Sequence, residues 1–284
     1  MIGKRAAGGR FTWRARSGSD RVYILCLVVL AIVIACTILA PLIAPYNPNQ
    51  IFAGPIYQGP SVQHLFGTDG LGRDIFSRVL YGGRFTLLGA TLIVGISSTA
   101  GLAVATASAW LGGRLDAAVS RALDVLFAFP GLLLAILTVS VFGPGFIAPV
   151  LALAVAYMPY MARLTRSVAI RERTKPYIDT CIVQGFSGMW ICVRHLVPNL
   201  MPFVIVQATV SFGYAIIDLA SLSFIGLGIQ PPTADWGLMV SDGETGILAH
   251  HPEESLFSGL MIVVTVVAFV IAGERRGAVR GRYL

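Results

Sequence analysis

The side chains best suited to catalysis or metal binding do not form a recognisable reactive set in this sequence. His250 and His251 are adjacent, and two glutamates follow at 253 and 254. Zinc proteases instead use the order HExxH, which places two histidines one helical turn apart. The remaining two histidines have no cysteine at metal-ligand spacing. We therefore expect a solvated loop at His250 and His251 rather than a metal site.

The lysines exclude a nucleotide-binding loop of the Walker type. The pattern GxxxxGK[ST] requires a lysine immediately before serine or threonine. The sequence has two lysines, Lys4 before Arg5 and Lys175 before Pro176. We therefore predict that the chain is not an enzyme with its own ATPase site and that it binds no cofactor.

The composition is that of a polytopic membrane protein. Hydrophobic residues make up 56% of the chain and charged residues 12%, against about 25% charged in soluble domains. Six segments reach the roughly 20 apolar residues that a span needs. Because the backbone must satisfy its own hydrogen bonds in lipid, we predict an all-α membrane protein with six transmembrane helices. The predicted spans are 22–44, 85–111, 117–142 (kinked at Pro130), 146–164, 200–225 and 256–272.

The charges in the loops predict the orientation of these spans. Basic residues cluster before the first span, in the loop 171–199 and after the sixth span, whereas the loop 226–255 has five acids and no lysine or arginine. The positive-inside rule then places both termini and the loop 171–199 in the cytoplasm. The basic excess is a topology signal, so we expect no nucleic-acid partner. None of the four cysteines would face an oxidising compartment, and we expect no disulfide framework.

Two segments carry polar residues that the simple span pattern leaves unexplained. Residues 71–80 show helical apolar spacing, with Arg73, Asp74, Ser77 and Arg78 on the other side, and predict a short amphipathic helix on the outer membrane surface. Within the predicted third span, Arg121 and Asp124 lie one turn apart and suggest a helix-end pair.

Asp218 lies inside the fifth predicted span. An intramembrane acid is a functional hypothesis by default. The alternative is a hydrogen bond to a Ser, Thr or Tyr of a neighbouring helix, which we favour.

The most specific pattern lies between the fourth and fifth spans, where residues 177–199 are YIDTCIVQGFSGMWICVRHLVPN. This segment resembles the EAA loop of ABC-importer permeases, with Asp179, Thr180 and Cys181 at the Glu-Ala-Ala positions, Gly185 at the glycine and Pro198 at the proline. His195 stands where that pattern has isoleucine.

In that family the loop docks the membrane subunit onto its ATPase. Such a loop needs a turn, an apolar knob and a rigid link to the spans. We predict that Gly185 and Gly188 form the turn, and that Pro198 ends the second loop helix. The predicted coupling residues are Tyr177, Asp179, Thr180, Cys181, Gly185, Phe186, Met189, Trp190, His195 and Pro198.

Three further segments, 65–84, 116–136 and 222–237, are similar to the dipeptide/oligopeptide permease family. They contain LFGTDGLGRDIFSRVLYGGR, DAAVSRALDVLFAFPGLLLAI and LSFIGLGIQPPTADWG, respectively. The resemblance implies a type I ABC-importer permease bundle in a bacterial inner membrane, and the C-type subunit of a pair.

The same resemblance implies the partners. They are a second homologous permease, two cytoplasmic ATPases that would hold ATP and Mg²⁺, and an extracytoplasmic substrate-binding protein. The expected cargo is dipeptides or oligopeptides, with nickel chelates as the alternative. A stand-alone secondary transporter would be expected to show internal repeats, and an intramembrane enzyme a set of reactive residues within the bilayer.

The predicted organisation has four regions. Residues 1–21 and 273–284 are cytoplasmic tails. Residues 22–84 hold the first transmembrane helix and an outer segment, and residues 85–272 form a five-helix core. In the outer loop 226–255 we expect Trp236, Asp242 and Glu244 to dock the binding protein.

Overall fold

The computed structural model describes the backbone of Arg16–Arg280 and the side chains of residues 21–275. Most of the two predicted tails lies outside these ranges. In the described part the regular secondary structure is helical, apart from one isolated bridge between Thr68 and Asp74, and the segments 44–74 and 225–235 are irregular. The helices are α1 Arg16–Ile38, α2 Ala40–Ile43, α3 Ile75–Leu111, α4 Gly113–Ala128, α5 Gly131–Phe142, α6 Ile147–Arg173, α7 Pro176–Val183, α8 Gly188–Ile191, α9 Val197–Phe224, α10 Trp236–Asp242, α11 Glu244–Leu248 and α12 Glu253–Arg280.

Among the described residues, five helical stretches are long and apolar enough to cross a membrane. Helices α4 and α5 pass the same test only as a pair, which is bent by 80° at its break and is either a broken span or a re-entrant loop. The bend lies at Pro130, where the sequence predicts a kink. Phe129 takes an extended conformation with ψ 128°, because the ring of a following proline disfavours helical angles in the preceding residue. The predicted all-α membrane fold is confirmed, and the number of candidate spans equals the predicted six when α4 and α5 are counted as one bent span.

The predicted short helix at 71–80 is wrong. Helix α3 begins at Ile75 and continues without interruption to Leu111, so the predicted regional boundary at 84 falls inside it. Asp74 caps this helix, with its carboxylate accepting the backbone N–H of Ser77 at 2.8 Å. The expected polar face is also not on a membrane surface, because Arg73, Asp74, Ser77 and Arg78 are all buried.

These buried charges belong to a network that joins the segment before α3 to α10 and α12. Arg73 Nε donates to Asp69 Oδ2 at 2.6 Å. Arg78, fully buried, has ion pairs at 3.6 Å with Asp69 and at 3.8 Å with Asp242 and Glu254. The tertiary fold thus turns the predicted amphipathic surface into an interior, since charges of both signs neutralise one another there.

The core forms where α3 crosses α6 and α9. Its fully buried members include Ala90, Ile93, Leu153, Ile216 and Leu222. Helix α12 packs on α9, and α1 packs on the outside of α12.

Glycines permit the closest of these approaches. A Cβ at Gly101 of α3 would lie 2.8 Å from the Cβ of Met161 in α6, and one at Gly89 would clash with a methyl group of Leu219 in α9. Lipid supplies no hydrophobic drive between helices, so close backbone contact is a main source of their attraction.

The glycine contacts give a testable pair of variants. Gly101→Leu should destabilise the subunit by about 1–3 kcal/mol because it overpacks the crossing of α3 and α6. Gly95→Leu is the matched control in the same helix, since a Cβ at that position would meet nothing within 4 Å. The thermal unfolding midpoint in detergent should fall for the first variant and stay near wild type for the second. Equal midpoints for the two variants would contradict the packing assignment.

Candidate functional site

The loop that carries the EAA-like pattern folds as two short helices at one end of the bundle. Helix α7 begins with Pro176 in its first turn and ends at Val183. Gly185 then turns the chain with φ +81°, and no atom lies within 4 Å of a Cβ built there. Glycine is therefore favoured at this position by the positive φ angle and not by close packing.

Gly188 does not form the turn, contrary to the sequence prediction. It starts α8, and a Cβ there would clash with the indole Nε1 of Trp110 at the end of α3. Arg173 covers Trp110, with its guanidinium 5.3 Å from the ring centroid, and donates to the Ala109 carbonyl at 2.7 Å. Gly188 is thus a close-packing residue that seats the loop on α3.

Pro198 does not end a helix either. The chain passes from α8 through a π-helical turn, Cys192–Leu196, directly into α9, with Pro198 in the first turn of α9. A π-helical turn alters the local hydrogen-bond pattern, and this is a setting in which a proline can be accommodated. Gly188–Phe224 is consequently one continuous helical stretch of 37 residues.

A row of aromatic rings connects the loop surface to the base of α9. Phe186 and Trp190 stack with centroids 4.2 Å apart, and Trp190 meets His195 edge to face at 5.1 Å. The ring of Tyr177 lies 6.1 Å from that of His195. The structure therefore brings together four of the predicted coupling residues.

The outer side of this row is exposed and apolar. Met189 is 76% exposed and Val183 87%, while Phe186 and Trp190 are about two-fifths exposed. Large exposed apolar patches occur at interaction sites of proteins. We name Ile182, Val183, Phe186, Met189 and Trp190 the loop knob.

The predicted EAA-position residues lie on α7 beside the knob. Asp179 and Thr180 are exposed, and Cys181 is half-buried. Asp179 lies in the first turn of α7, where a negative charge suits the helix dipole. It takes part in no ion pair with the side chains of residues 21–275.

Apart from Tyr177, the residues that fix the loop were not singled out by sequence reasoning. Glu172 at the end of α6 is 6% exposed and accepts the Tyr177 hydroxyl at 2.9 Å. Asn199 of α9 donates to the same glutamate at 3.3 Å and to the Tyr177 oxygen at 2.9 Å. Lys175 completes the network with an ion pair of 2.8 Å. The network joins α6, α7 and α9. In the sequence, Glu172 is only a glutamate beside a basic cluster, and this pattern is too common to predict the network.

The electrostatics keep Tyr177 in its hydrogen-donating form. Burial raises the pKa of its hydroxyl, and the bond to Glu172 raises it further, whereas the Asn199 bond opposes the shift. The phenol therefore stays neutral near pH 7 and donates to the carboxylate.

The other predicted site residues lie elsewhere. Asp218 accepts a hydrogen bond of 2.8 Å from the Tyr157 hydroxyl of α6, which is the neighbouring-helix contact that we favoured. Asp124 pairs with Arg163 of α6 instead of Arg121. That ion pair bridges two helices, whereas an i, i+3 pair within α4 would connect only neighbouring turns.

The expected docking role of Trp236 is wrong. Its side chain is fully buried, its indole N–H donates to the Val79 carbonyl at 2.8 Å, and a Cβ at Gly83 would meet its ring at 2.7 Å. Asp242 is largely engaged with Arg73 and Arg78, and burial raises its pKa while these arginines lower it. Of the three predicted outer-loop residues, Glu244 alone is exposed.

No group of three potential metal ligands is found among the residues that the structure describes. His250 is exposed, and His251 lies 3.8 Å from Glu253.

Comparison with known proteins gives concordant results. The family model described as "Binding-protein-dependent transport system inner membrane component" matches residues 97–275, and that of the "N-terminal TM domain of oligopeptide transport permease C" matches residues 13–60. The glutathione transport system permease protein GsiD of Escherichia coli O6:K15:H31 is 40% identical over 248 residues, which cover 87% of this chain and 81% of GsiD. GsiD of Shigella boydii serotype 4 matches to the same extent.

The fold is also found among solved structures. One of them is an inward-facing form of the MetNI methionine ABC transporter, with a TM-score of 0.57 and 19% identity over 70% of this chain and 94% of that one. The identity is low, so this likeness concerns the fold.

The network around Glu172 gives a prediction that concerns the loop alone. Glu172→Leu should leave the Tyr177 hydroxyl and the Asn199 amide without their acceptor, at a cost of about 1–3 kcal/mol. The loop should then open more often, and trypsin should cut faster at Arg171 and Arg173. Thr180→Ala is the control, because it removes only an exposed bond to the Pro176 carbonyl. Unchanged cleavage rates in Glu172→Leu would show that the network does not hold the loop.

Proposed function

Since this chain belongs to the peptide/oligopeptide ABC-importer permeases of the binding-protein-dependent inner membrane component family, we propose that it forms half of a peptide translocation path that partner ATPases drive. The chain is a multi-pass inner membrane permease component of an ABC importer. The observation that carries the proposal is the loop knob, an exposed apolar surface held at the ends of α6 and α9.

The proposed partners follow from what the chain offers at each end. The knob is the contact for one of two ATPase subunits, which hold ATP and Mg²⁺. A second homologous permease completes the path, and a substrate-binding protein delivers the cargo to the end at which α10 and α11 lie. In this arrangement both termini and the loop 171–199 face the cytoplasm, in keeping with their basic charge.

The proposed cargo is a small peptide. The support is the 40% identity to a permease named for glutathione transport, since glutathione is itself a tripeptide. A nickel chelate is the alternative cargo.

Coupling should depend on the backbone angle of Gly185. Gly185→Val forces a β-branched residue into a left-handed conformation, at a cost of at least about 1–2 kcal/mol. The turn should relax, the knob should move, and ATP hydrolysis in the assembled complex should lose its stimulation by the loaded binding protein. Gly143→Val is the matched control, since Gly143 has φ +88° and equally open surroundings at the far end of α5.

The two glycine variants separate strain from coupling. Both should lower stability to a similar extent, but only the Gly185 variant should lose stimulated hydrolysis. Wild-type stimulation in a complex that carries Gly185→Val would contradict the coupling role of this turn.

ATPase association itself should depend on the exposed tip of the knob. Met189→Glu places a charge in the centre of the proposed apolar contact, and desolvating an unpaired carboxylate is costly. Copurification of the ATPase subunits from membranes should fall steeply. Leu248→Glu is the control, because Leu248 is 79% exposed on α11, away from α7 and α8, and it should leave the ATPases bound. Full recovery of the ATPases with Met189→Glu would remove the knob from the interface.

A further inference from the structure

A row of polar side chains lies within two of the predicted membrane spans, along the contact between α6 and α9. Tyr157 and Tyr160 fall in the predicted span 146–164, and Gln207, Tyr214 and Asp218 fall in the predicted span 200–225. Gln207 Nε2 donates to the Tyr160 hydroxyl at 2.9 Å, and Tyr157 donates to Asp218 at 2.8 Å. Both bonds join the two helices.

The polar residues of α9 share one stripe of that helix. Gln207, Tyr214 and Asp218 are separated by seven and four residues, spacings that return to the same helical face. Tyr214 is 53% exposed and Tyr160 38%. The stripe is therefore open on the surface of the subunit at a depth where lipid would otherwise lie.

Hydroxyl groups on the other exposed faces of the spans behave differently. Thr91, Thr99, Ser140 and Thr209 each donate to the carbonyl of the residue four positions earlier, at 2.7–2.9 Å. These groups satisfy themselves on their own helix and can face hydrocarbon at little cost.

The stripe keeps unused hydrogen-bonding capacity. In the described side chains, Tyr214 has no hydrogen-bond partner, and one carboxylate oxygen of Asp218 and the amide oxygen of Gln207 have none either. Asp218 also has no basic partner within 4.0 Å in the ion pairs of residues 21–275. Polar groups whose hydrogen bonds are unsatisfied within the protein face a water-filled cavity or a ligand when they lie in a bilayer.

We propose that the groove formed by Tyr157, Tyr160, Gln207, Tyr214 and Asp218 is this subunit's wall of the translocation path and binds the ammonium and amide groups of a zwitterionic peptide. The inference rests on the proposed function and adds the residues that meet the cargo. Tyr157 holds Asp218 in place through one oxygen and leaves the other to accept a protonated amine. The amide oxygen of Gln207 and the tyrosine hydroxyls then bond the peptide groups.

Cysteine accessibility tests the position of the groove. The experiment uses the assembled complex with Cys26, Cys36, Cys181 and Cys192 replaced by serine, and single cysteines at Tyr214 or Gln207. Val155→Cys on α6 and Ile205→Cys on α9 are controls, because they are 46% and 42% exposed and lie two residues from the groove on the opposite helical face. A charged, membrane-impermeant thiol reagent should modify the groove positions about tenfold faster or more, because the reactive thiolate forms in water.

Equal, slow labelling at all four positions in a complex that hydrolyses ATP would overturn the inference and leave the proposed function intact. A complex that fails to recruit ATPases even without substitutions would count against the proposed function instead.

Uptake tests the ligand chemistry. Asp218→Asn keeps an acceptor for Tyr157 but loses the charge, so the complex should assemble. Uptake of radiolabelled dialanine and glutathione from the loaded binding protein should fall about tenfold, since a hydrogen bond to a charged group is worth about 1.5–3 kcal/mol. Ser221→Ala is the control, because Ser221 is outside the proposed binding set and its hydroxyl already donates to the Ile217 carbonyl of its own helix at 2.8 Å. Wild-type uptake by Asp218→Asn would overturn the assignment of the amine to this carboxylate.

Discussion

The bilayer interior supplies no water, and this constraint governs the whole molecule. Every backbone and side-chain polar group in the spans must find its partner within the protein. Helices therefore approach through small residues, as at Gly89 and Gly101 of α3, and dispersion contacts replace the hydrophobic drive of a soluble core. Exposed threonines and serines return their hydroxyls to their own backbone. Polar groups that are not satisfied in this way, such as those of the Asp218 groove, are informative because burying them in lipid is costly.

The loop at the α7 end owes its rigidity to contacts with three spans. Trp110 of α3 lies between Arg173 and Gly188, and Glu172 of α6 binds both Tyr177 and Asn199. Because the π-helical turn lets α8 run into α9 through Pro198, the knob has no flexible joint on that side. A displacement of the knob would therefore be carried into α6 and α9, the two helices that form the polar groove.

At the opposite end of the bundle, buried ion pairs hold the segment before α3 against α10 and α12. There the buried charges of Arg73 and Arg78 meet Asp69, Asp242 and Glu254, and Trp236 is inserted between α3 and α9. Burying ions is costly unless they are paired, so the network specifies how the segment before α3 joins α10 and α12. Of the acids in the loop 226–255, Asp235 and Glu254 are thus buried and Asp242 is paired with arginines, whereas Glu244 is exposed.

The sequence by itself determined the class of protein, its spans and its family. Hydrophobic length fixes spans because a bilayer has a fixed thickness, Pro130 predicts a break because its ring excludes a helical residue before it, and the spacing of Gly185 marks a left-handed turn. The EAA-like pattern also located the loop that the structure folds into α7 and α8. Tertiary structure alone decided which polar residues are paired. Arg78 is in a buried network and not on a membrane surface, Trp236 is a core residue, and Glu172 joins residues that lie 5 and 27 positions away along the chain. The partner of a polar residue depends on which helix packs against it. Local periodicity does not reveal that partner, because it lies far away along the chain.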